Sequence, residues 1–109
     1  MKRNFAVIAL AAMLGLASAP AFADAIDGDW CSGAANLHIA GPAIRIASGK
    51  DMVGDYSRHS FHYLSPAGET DAGTEFFMRL MNEETMFLVR HVGGKDGPVE
   101  TWLRCKPVS

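Results

Sequence analysis

The sequence predicts an all-β domain, a small antiparallel meander or compact barrel of about six to eight short strands, and two observations carry this prediction. Clusters of Gly, Pro, Asp, Asn and Ser recur at short, regular intervals after residue 32. The segments between them span about five to eight residues, and several alternate apolar with polar side chains, as a half-buried strand does. This alternation occurs in Leu37-His38-Ile39, Ile44-Arg45-Ile46 and Phe61-His62-Tyr63.

Up to eight candidate strands follow when the chain is divided at these clusters. In chain order they cover residues 29–32, 36–40, 43–47, 52–57, 60–64, 74–81, 85–92 and 99–105. The turn signals that bound them are Gly33, Gly41-Pro42 and residues 48–51, 65–68, 71–73, 82–84 and 93–98. Gly and Pro favour such positions because Gly tolerates positive φ and Pro fixes φ in the range that turns require.

Residues 75–92 allow two interpretations. They are rich in Met, Leu, Phe and Glu, which favour a helix at least as well as a strand, and four apolar side chains between residues 76 and 81 would share a helical face. However, the apolar run of residues 87–89 continues into Arg90-His91-Val92 without a helix cap before the following Gly pair. We therefore predict a β-hairpin that turns at residues 82–84.

The first 23 residues have the order of a secretory signal peptide. A basic start is followed by an uncharged apolar run at residues 5–16 and by the small-x-small cleavage motif Ala21-Phe22-Ala23. The run is too short to span a membrane. Cleavage after Ala23 leaves residues 24–109 as one exported β-domain of 86 residues. We expect a bacterial protein that is periplasmic or secreted.

The two cysteines, Cys31 and Cys105, are expected to form a disulfide. Thiols are normally oxidised outside the cytoplasm, and two cysteines allow one pairing. That bond closes a loop of about 75 residues and contributes roughly 4 kcal/mol on the chain-entropy model. A redox or zinc role is disfavoured because no C-x-x-C spacing is present and two thiols alone make a poor zinc site.

Charge and composition exclude several classes of partner. Without Lys2 and Arg3, the mature chain carries eight basic and twelve acidic side chains. Nucleic acid and anionic lipid both require clustered Lys and Arg, so neither is an expected partner. The mature chain has no second long apolar run, so stable membrane insertion is not expected either.

Gly28-Asp29-Trp30 stands at the start of the mature domain, and Trp102-Leu103-Arg104 stands at its end. This pattern resembles the calycin superfamily, which includes the lipocalins and the small bacterial metalloprotease inhibitors. The resemblance implies an up-and-down barrel in which the first strand packs against an Arg of the last. Independently of the family, the two tryptophans flank the two cysteines, so a disulfide would bring Arg104 over the face of Trp30 as a cation–π contact. Alternatively, both tryptophans only fill the core around the bridge.

Other clusters of polar residues suggest weaker hypotheses. His59 and His62, with several methionines, raise the possibility of a copper site, but strand alternation would direct the two rings to opposite faces. Asp27 and Asp29 flank a glycine but lack the rest of a calcium loop, and we interpret them as solvated turn residues. The adjacent pair Glu83-Glu84 is interpreted as a hairpin tip. We therefore expect no metal site and no cofactor.

The sequence contains none of the common catalytic signatures. It has no H-E-x-x-H, no G-x-S-x-G, no phosphate-binding Gly-Lys loop and no dinucleotide fingerprint. We expect a non-enzymatic domain that binds an envelope or secreted protein, in an inhibitor-like role. The alternatives are a structural or stress-related envelope protein without a discrete ligand, and a periplasmic metal-binding protein that uses His and Met. The long polar loops at residues 65–73 and 93–98 are the expected contact sites. The sequence gives no oligomeric state.

Overall fold

The computed structural model describes residues 25–106 as an all-β domain without α-helices in that range. The predicted signal peptide and its cleavage site lie outside the described residues. The structure confirms the predicted fold class. The strands are β1 (Gly28–Ser32), β2 (Ala35–Ala40), β3 (Ala43–Arg45), β4 (Asp51–Val53), β5 (Asp55–Ser57), β6 (Ser60–Leu64), β7 (Glu75–Asn82), β8 (Thr85–Val92), β9 (Lys95–Asp96) and β10 (Glu100–Arg104).

The strands form one antiparallel sheet that closes almost completely into a barrel. Its order is β4-β3-β2-β1-β10-β8-β7-β6-β5, with the two-residue β9 paired to β8. The first and last long strands are neighbours, with Trp30 opposite Arg104 and Cys31 opposite Leu103. This is the up-and-down arrangement that the sequence pattern implied.

Gly54 connects the two ends of the sheet. The strand order begins with β4 and ends with β5, yet only Gly54 separates these two strands along the chain. A Cβ atom at Gly54 would lie 2.5 Å from Phe61 Cε1 and 2.6 Å from the His62 carbonyl oxygen. Only glycine therefore allows the chain to bend this close to β6. The predicted single strand at 52–57 is in fact two strands, one paired with β3 and the other with β6.

Inward-facing side chains fill the barrel. In β6 and in the first halves of β7 and β8, buried side chains alternate with more exposed ones, at the two-residue period of a strand. The sequence shows this period in residues 61–63, whereas apolar residues run together in β7 and β8. The core cluster consists of Ile26, Trp30, Leu37, Ile39, Ile44, Ile46, Phe61, Tyr63, Phe76, Met78, Met86, Leu88 and Trp102. An eight-stranded barrel has an interior just large enough for such side chains, and this one is occupied by its own.

The methionine-rich segment is a hairpin, as predicted. β7 and β8 pair from Glu75 opposite His91 to Asn82 opposite Thr85, with a bulge between Leu80 and Asn82. Residues 83 and 84 form the turn. The helical alternative is excluded, because the alternation of buried Phe76 and Met78 with exposed Phe77 and Arg79 has the period of a strand.

Candidate functional site

The up-and-down order places the connections at two opposite ends of the barrel. One end, here called the closed end, carries the segment at residues 25–27 and the turns at 41–42, 58–59 and 83–84. The other end, here called the mouth, carries the connections at residues 33–34, 46–50, 65–74 and 93–99. Both loops that the sequence predicts as contact sites, 65–73 and 93–98, therefore lie at the mouth.

The loop between β6 and β7 is held by its own hydrogen bonds. The Ser65 N–H donates to the Thr74 carbonyl at 2.8 Å, and the Gly73 N–H donates back to the Ser65 carbonyl at 3.0 Å. The Ser65 hydroxyl donates to the Asp71 carboxylate at 2.5 Å. Two further backbone hydrogen bonds close turns within the same loop, from the N–H of residue 69 to the carbonyl of residue 66 and from the N–H of residue 72 to the carbonyl of residue 69. With Ser65 and Thr74 both buried, the loop is a preformed structure.

Arg90 connects this loop to the barrel wall. Its guanidinium lies 4.9 Å from the Phe76 ring centroid and donates to the Glu100 carboxylate at 2.6 Å. Asp71 of the loop lies 3.8 Å from the same guanidinium. The hydrogen bond to Glu100 raises the pKa of Arg90, so the cation is present at any physiological pH. The ring of Tyr63 stacks on the same Phe76 ring, with 4.6 Å between the ring centroids. Burial raises the pKa of the Tyr63 hydroxyl.

The mouth encloses little free space. A cavity of about 80 Å³ lies beneath the loops, lined by core side chains such as Leu37, Phe76 and Trp102 and by the polar groups of Asp71 and Arg90. Sites for drug-sized ligands measure about 300–1,000 Å³. The cavity therefore accommodates a few water molecules and is far too small for a lipid or retinoid.

The closed end contains Gly28, Trp30 and Arg104 of the two terminal motifs, whereas Trp102 lines the mouth cavity. The Arg104 guanidinium lies 4.2 Å from the ring of fully buried Trp30, which is the cation–π contact that the sequence predicts. It also donates to the carbonyls of Asp27, Ala25 at 2.7 Å and Glu83 at 2.7 Å. Burial lowers the pKa of Arg104, the opposite direction from Arg90. Trp102 is buried in the core as well, so both tryptophans fill the core and Trp30 in addition makes the cation–π contact.

Gly28 makes room for this arginine. Its φ is +122°, a conformation that L side chains rarely adopt, and a Cβ atom there would lie 2.6 Å from Arg104 Nη1. The indole N–H of Trp30 donates to the Ile26 carbonyl at 2.8 Å, which fixes the segment that covers the closed end. The three residues Gly28, Trp30 and Arg104 thus form one structural unit.

The predicted disulfide is present. Cys31 and Cys105 are joined at an S–S distance of 2.00 Å, and their Cα atoms are 5.0 Å apart. The bridge links β1 to the residue that follows β10, directly beside Trp30 and Arg104. The disulfide and the arginine therefore fasten the same pair of strands.

Three of the four histidines form polar pairs with carboxylates, and His62 and His91 both contact the Phe77 ring. His38 bonds Asp29 at 2.7 Å, and His91 bonds Asp96 at 2.8 Å. His62 bonds Asp55 and Glu75, both at 3.1 Å. In each pair the histidine is directly opposite an aspartate on the neighbouring strand. Within residues 25–106, no three His, Cys, Asp or Glu side chains converge on a point that could hold a metal ion.

Asp27 differs from its predicted role as a solvated turn residue. Its carboxylate accepts from the Gly41 N–H at 2.8 Å and from the Tyr56 hydroxyl. That hydrogen bond raises the pKa of Tyr56. Asp27 therefore links the segment before β1 to the β2–β3 turn and to β5, and its carboxylate oxygens accept hydrogen bonds from protein donors. Glu83 lies in the hairpin turn, as expected.

Sequence reasoning missed the cluster of Arg90, Asp71 and Glu100 at the mouth. A signal was available, because Met86, Leu88 and Arg90 continue one inward-facing period of two along β8. A charged residue on the inward side of a strand requires partners, and it marks the end where the barrel meets solvent. The partners themselves come from a loop and from β10, and no local pattern identifies them.

Comparison with protein-family models, with curated proteins and with solved structures found no match to this chain. The resemblance to calycins therefore stays a prediction. No helix in the described range is long and apolar enough to cross a membrane.

Proposed function

We propose that the protein is an exported, non-enzymatic β-domain, processed after Ala23, that binds an envelope or secreted protein through the loops of the barrel mouth. The observation that carries this proposal is the preformed β6–β7 loop above a filled barrel. With about 80 Å³ of free space beneath the loops, the interior offers no site for an organic ligand, and recognition falls to the surface.

Preformed loops favour tight recognition of a macromolecule. Binding costs free energy when a flexible loop becomes ordered, and a loop that is already hydrogen-bonded avoids most of that cost. The tip at Ala67, Gly68, Thr70 and Ala72 is exposed, while Ser65 and Thr74 at its base are buried. An exposed tip on a rigid base is the arrangement of many protein inhibitors of hydrolases, and it supports the inhibitor-like role.

The three lysines of the described chain provide a direct test. Lys50 and Lys95 are exposed at the mouth, whereas Lys106 is exposed at the closed end. The oxidised, processed protein is used to capture partners from an envelope extract, followed by lysine-specific crosslinking and mass spectrometry. We expect crosslinks to the partner from Lys50 and Lys95, while Lys106 reacts with a small acylating reagent but not with the partner.

Two matched substitutions extend the test. Thr70→Arg adds a bulky cation at the exposed loop tip, and His59→Arg adds the same side chain in an exposed turn at the closed end. Thr70→Arg should weaken capture by at least about tenfold, and His59→Arg should leave it unchanged. If the partner is a hydrolase, stoichiometric protein should inhibit it. Contacts that map to Lys106 and His59 contradict the proposal, and recovery of no specific partner favours the structural alternative.

A further inference from the structure

A second surface, on the side of the barrel, carries features that the mouth does not explain. The outer face of β7 and β8 exposes two aromatic rings, with Phe77 43% and Phe87 36% accessible. Together with Val89 and Val99 they line a shallow depression. Apolar side chains that form a contiguous exposed patch commonly mark a protein interface.

The charges along β7 reverse sign about Phe77. Alternation places Glu75, Phe77 and Arg79 on the same outer face, with the aromatic ring between the anion and the cation. Glu75 bonds one histidine, His62, which itself stacks on Phe77 at 4.4 Å. Arg79 has no ion pair or hydrogen bond from its side chain anywhere in the described part of the chain. When a second β7 strand lies antiparallel over the first, its cation faces this anion and its anion faces this cation.

We propose that this face joins two copies of the chain in an isologous dimer. A twofold axis that lies in the interface, perpendicular to β7 and level with Phe77, makes the two β7 strands antiparallel. It places Phe77 against Phe77 of the second copy and Arg79 opposite Glu75 of the second copy, twice per dimer. The contact pairs the arginine that lacks an ion-pair partner within its own described chain.

The neighbouring strand fits the same symmetry. Val89 lies beside Phe77, while Phe87 lies beside Arg79 and His91 lies beside Glu75. The axis therefore places Val89 opposite Val89 of the second copy. It also places the neighbouring residues Arg79 and Phe87 opposite Glu75 and His91 of the second copy. The sheet closes almost completely, so a partner approaches this region face to face instead of extending a sheet edge. A second copy supplies the required anion and aromatic ring at the same spacing.

Charge reversal and rescue test the proposal. Sedimentation equilibrium of the oxidised, processed protein should show a monomer–dimer equilibrium. Arg79→Glu or Glu75→Arg alone sets like charges opposite each other twice, and each should raise the dimer Kd by at least about tenfold. The double variant Glu75→Arg/Arg79→Glu restores opposite charges and should return the Kd to within about threefold of wild type. It lacks the Glu75–His62 hydrogen bond, so that bond cannot account for the rescue.

Two controls accompany the measurement. Val53, on β4, is 71% accessible, and Val53→Asp should leave the Kd unchanged because it lies away from the β7–β8 face. Near-ultraviolet circular dichroism of the two buried tryptophans reports that each variant is folded. A monomer at every concentration up to about 1 mM overturns the proposal, even if the face binds a different protein. A dimer that withstands both single reversals overturns it as well.

Discussion

Each end of the barrel has an arginine over an aromatic ring, and the two arginines differ in what else they bind. Arg104 at the closed end lies over Trp30 and donates to three backbone carbonyls. Arg90 at the mouth lies over Phe76 and binds the carboxylates of Glu100 and Asp71. Burial lowers the pKa of Arg104, whereas the hydrogen bond to Glu100 raises that of Arg90.

The contacts of Arg104 are structural, whereas those of Arg90 can change with the sequence. A backbone carbonyl remains whichever side chain is substituted. Here the carbonyls belong to residues 25–27 and to the β7–β8 turn, so Arg104 holds these two segments in one position. Carboxylates are side chains on a loop and a strand near solvent, and Arg90 itself is 43% accessible. We infer that the closed end contributes most of the stability and that the mouth can vary without loss of the fold.

The largest expected effect is that of the disulfide at the closed end. Replacing Cys31 and Cys105 by Ala, or reducing the bond, frees a loop with a sequence separation of 74 residues. The chain-entropy model gives a loss of roughly 4 kcal/mol, and a domain of this size loses about 4–8 °C per kcal/mol. Thermal denaturation should show a fall in melting temperature of more than about 10 °C. Two titratable thiols in protein isolated without a reductant would contradict the oxidised state.

The two arginines give the most direct test of the comparison. Arg104→Ala removes the cation–π contact and leaves the part-buried carbonyls of Ala25 and Asp27 without this donor, and we expect a loss of about 3 kcal/mol. Arg90→Ala removes half-exposed ion pairs, and we expect about 1 kcal/mol. Urea denaturation of both variants measures the difference. Arg104→Lys retains the charge but not the planar fork, so it should recover less than half of the loss. Equal losses for the two alanine variants would abolish the distinction between the ends.

A pair of glycines extends the test to the backbone. Gly28→Ala must adopt a φ of +122° and places a Cβ atom 2.6 Å from Arg104 Nη1, so we expect a loss of about 2–3 kcal/mol. Gly33, in the turn at the mouth, has a φ of +58° and no atom within 4 Å of a Cβ position. Gly33→Ala should lose only about 1 kcal/mol. A Gly28→Ala variant as stable as Gly33→Ala would show that Arg104 moves aside freely.

Strand positions were predictable because the barrel buries one face of each strand. The alternation in Leu37-His38-Ile39 and in Phe61-His62-Tyr63 matches buried and more exposed positions in the structure. The break at Gly54 was not predictable, since it depends on how closely the Phe61 ring and the β6 backbone approach that glycine. The short β9 formed within the predicted loop at 93–98, where two residues pair with the end of β8.

The two ends of the barrel also differ in how far the sequence predicts them. Gly28, Trp30 and Arg104 were found from sequence because a short motif at each terminus flanks a cysteine. The charged cluster at the mouth was not predicted, because Asp71, Arg90 and Glu100 come from three separate elements and meet only through the topology. The self-complementary order of Glu75, Phe77 and Arg79 was present in the sequence, but it acquired meaning only once β7 was known to expose that face.

The smallest expected effect concerns the polar pairs on the outside of the barrel, and it depends on pH. The hydrogen bond to Asp55 raises the pKa of His62, as does that to Glu75, while partial burial acts in the opposite direction. A folded-state pKa above the unfolded value means that protonated His62 stabilises the fold fully below about pH 6.5. This stabilisation is lost as the pH rises through the folded-state pKa.

His62→Gln should therefore lower the melting temperature more at about pH 5.5 than at about pH 8.5, measured against wild type at each pH. The difference corresponds to less than about 1 kcal/mol, because solvent screens ion pairs that are this exposed. His59→Gln is the matched control, because its side chain is exposed in the turn before β6 and has no ion pair within the described residues, so it should change the melting temperature little. A His62→Gln penalty that is larger at high pH would mean that the neutral ring, through its stacking on Phe77, contributes more than the ion pairs do. In that case the outer face of β7 would be held by aromatic packing, and its charges would serve association instead of folding.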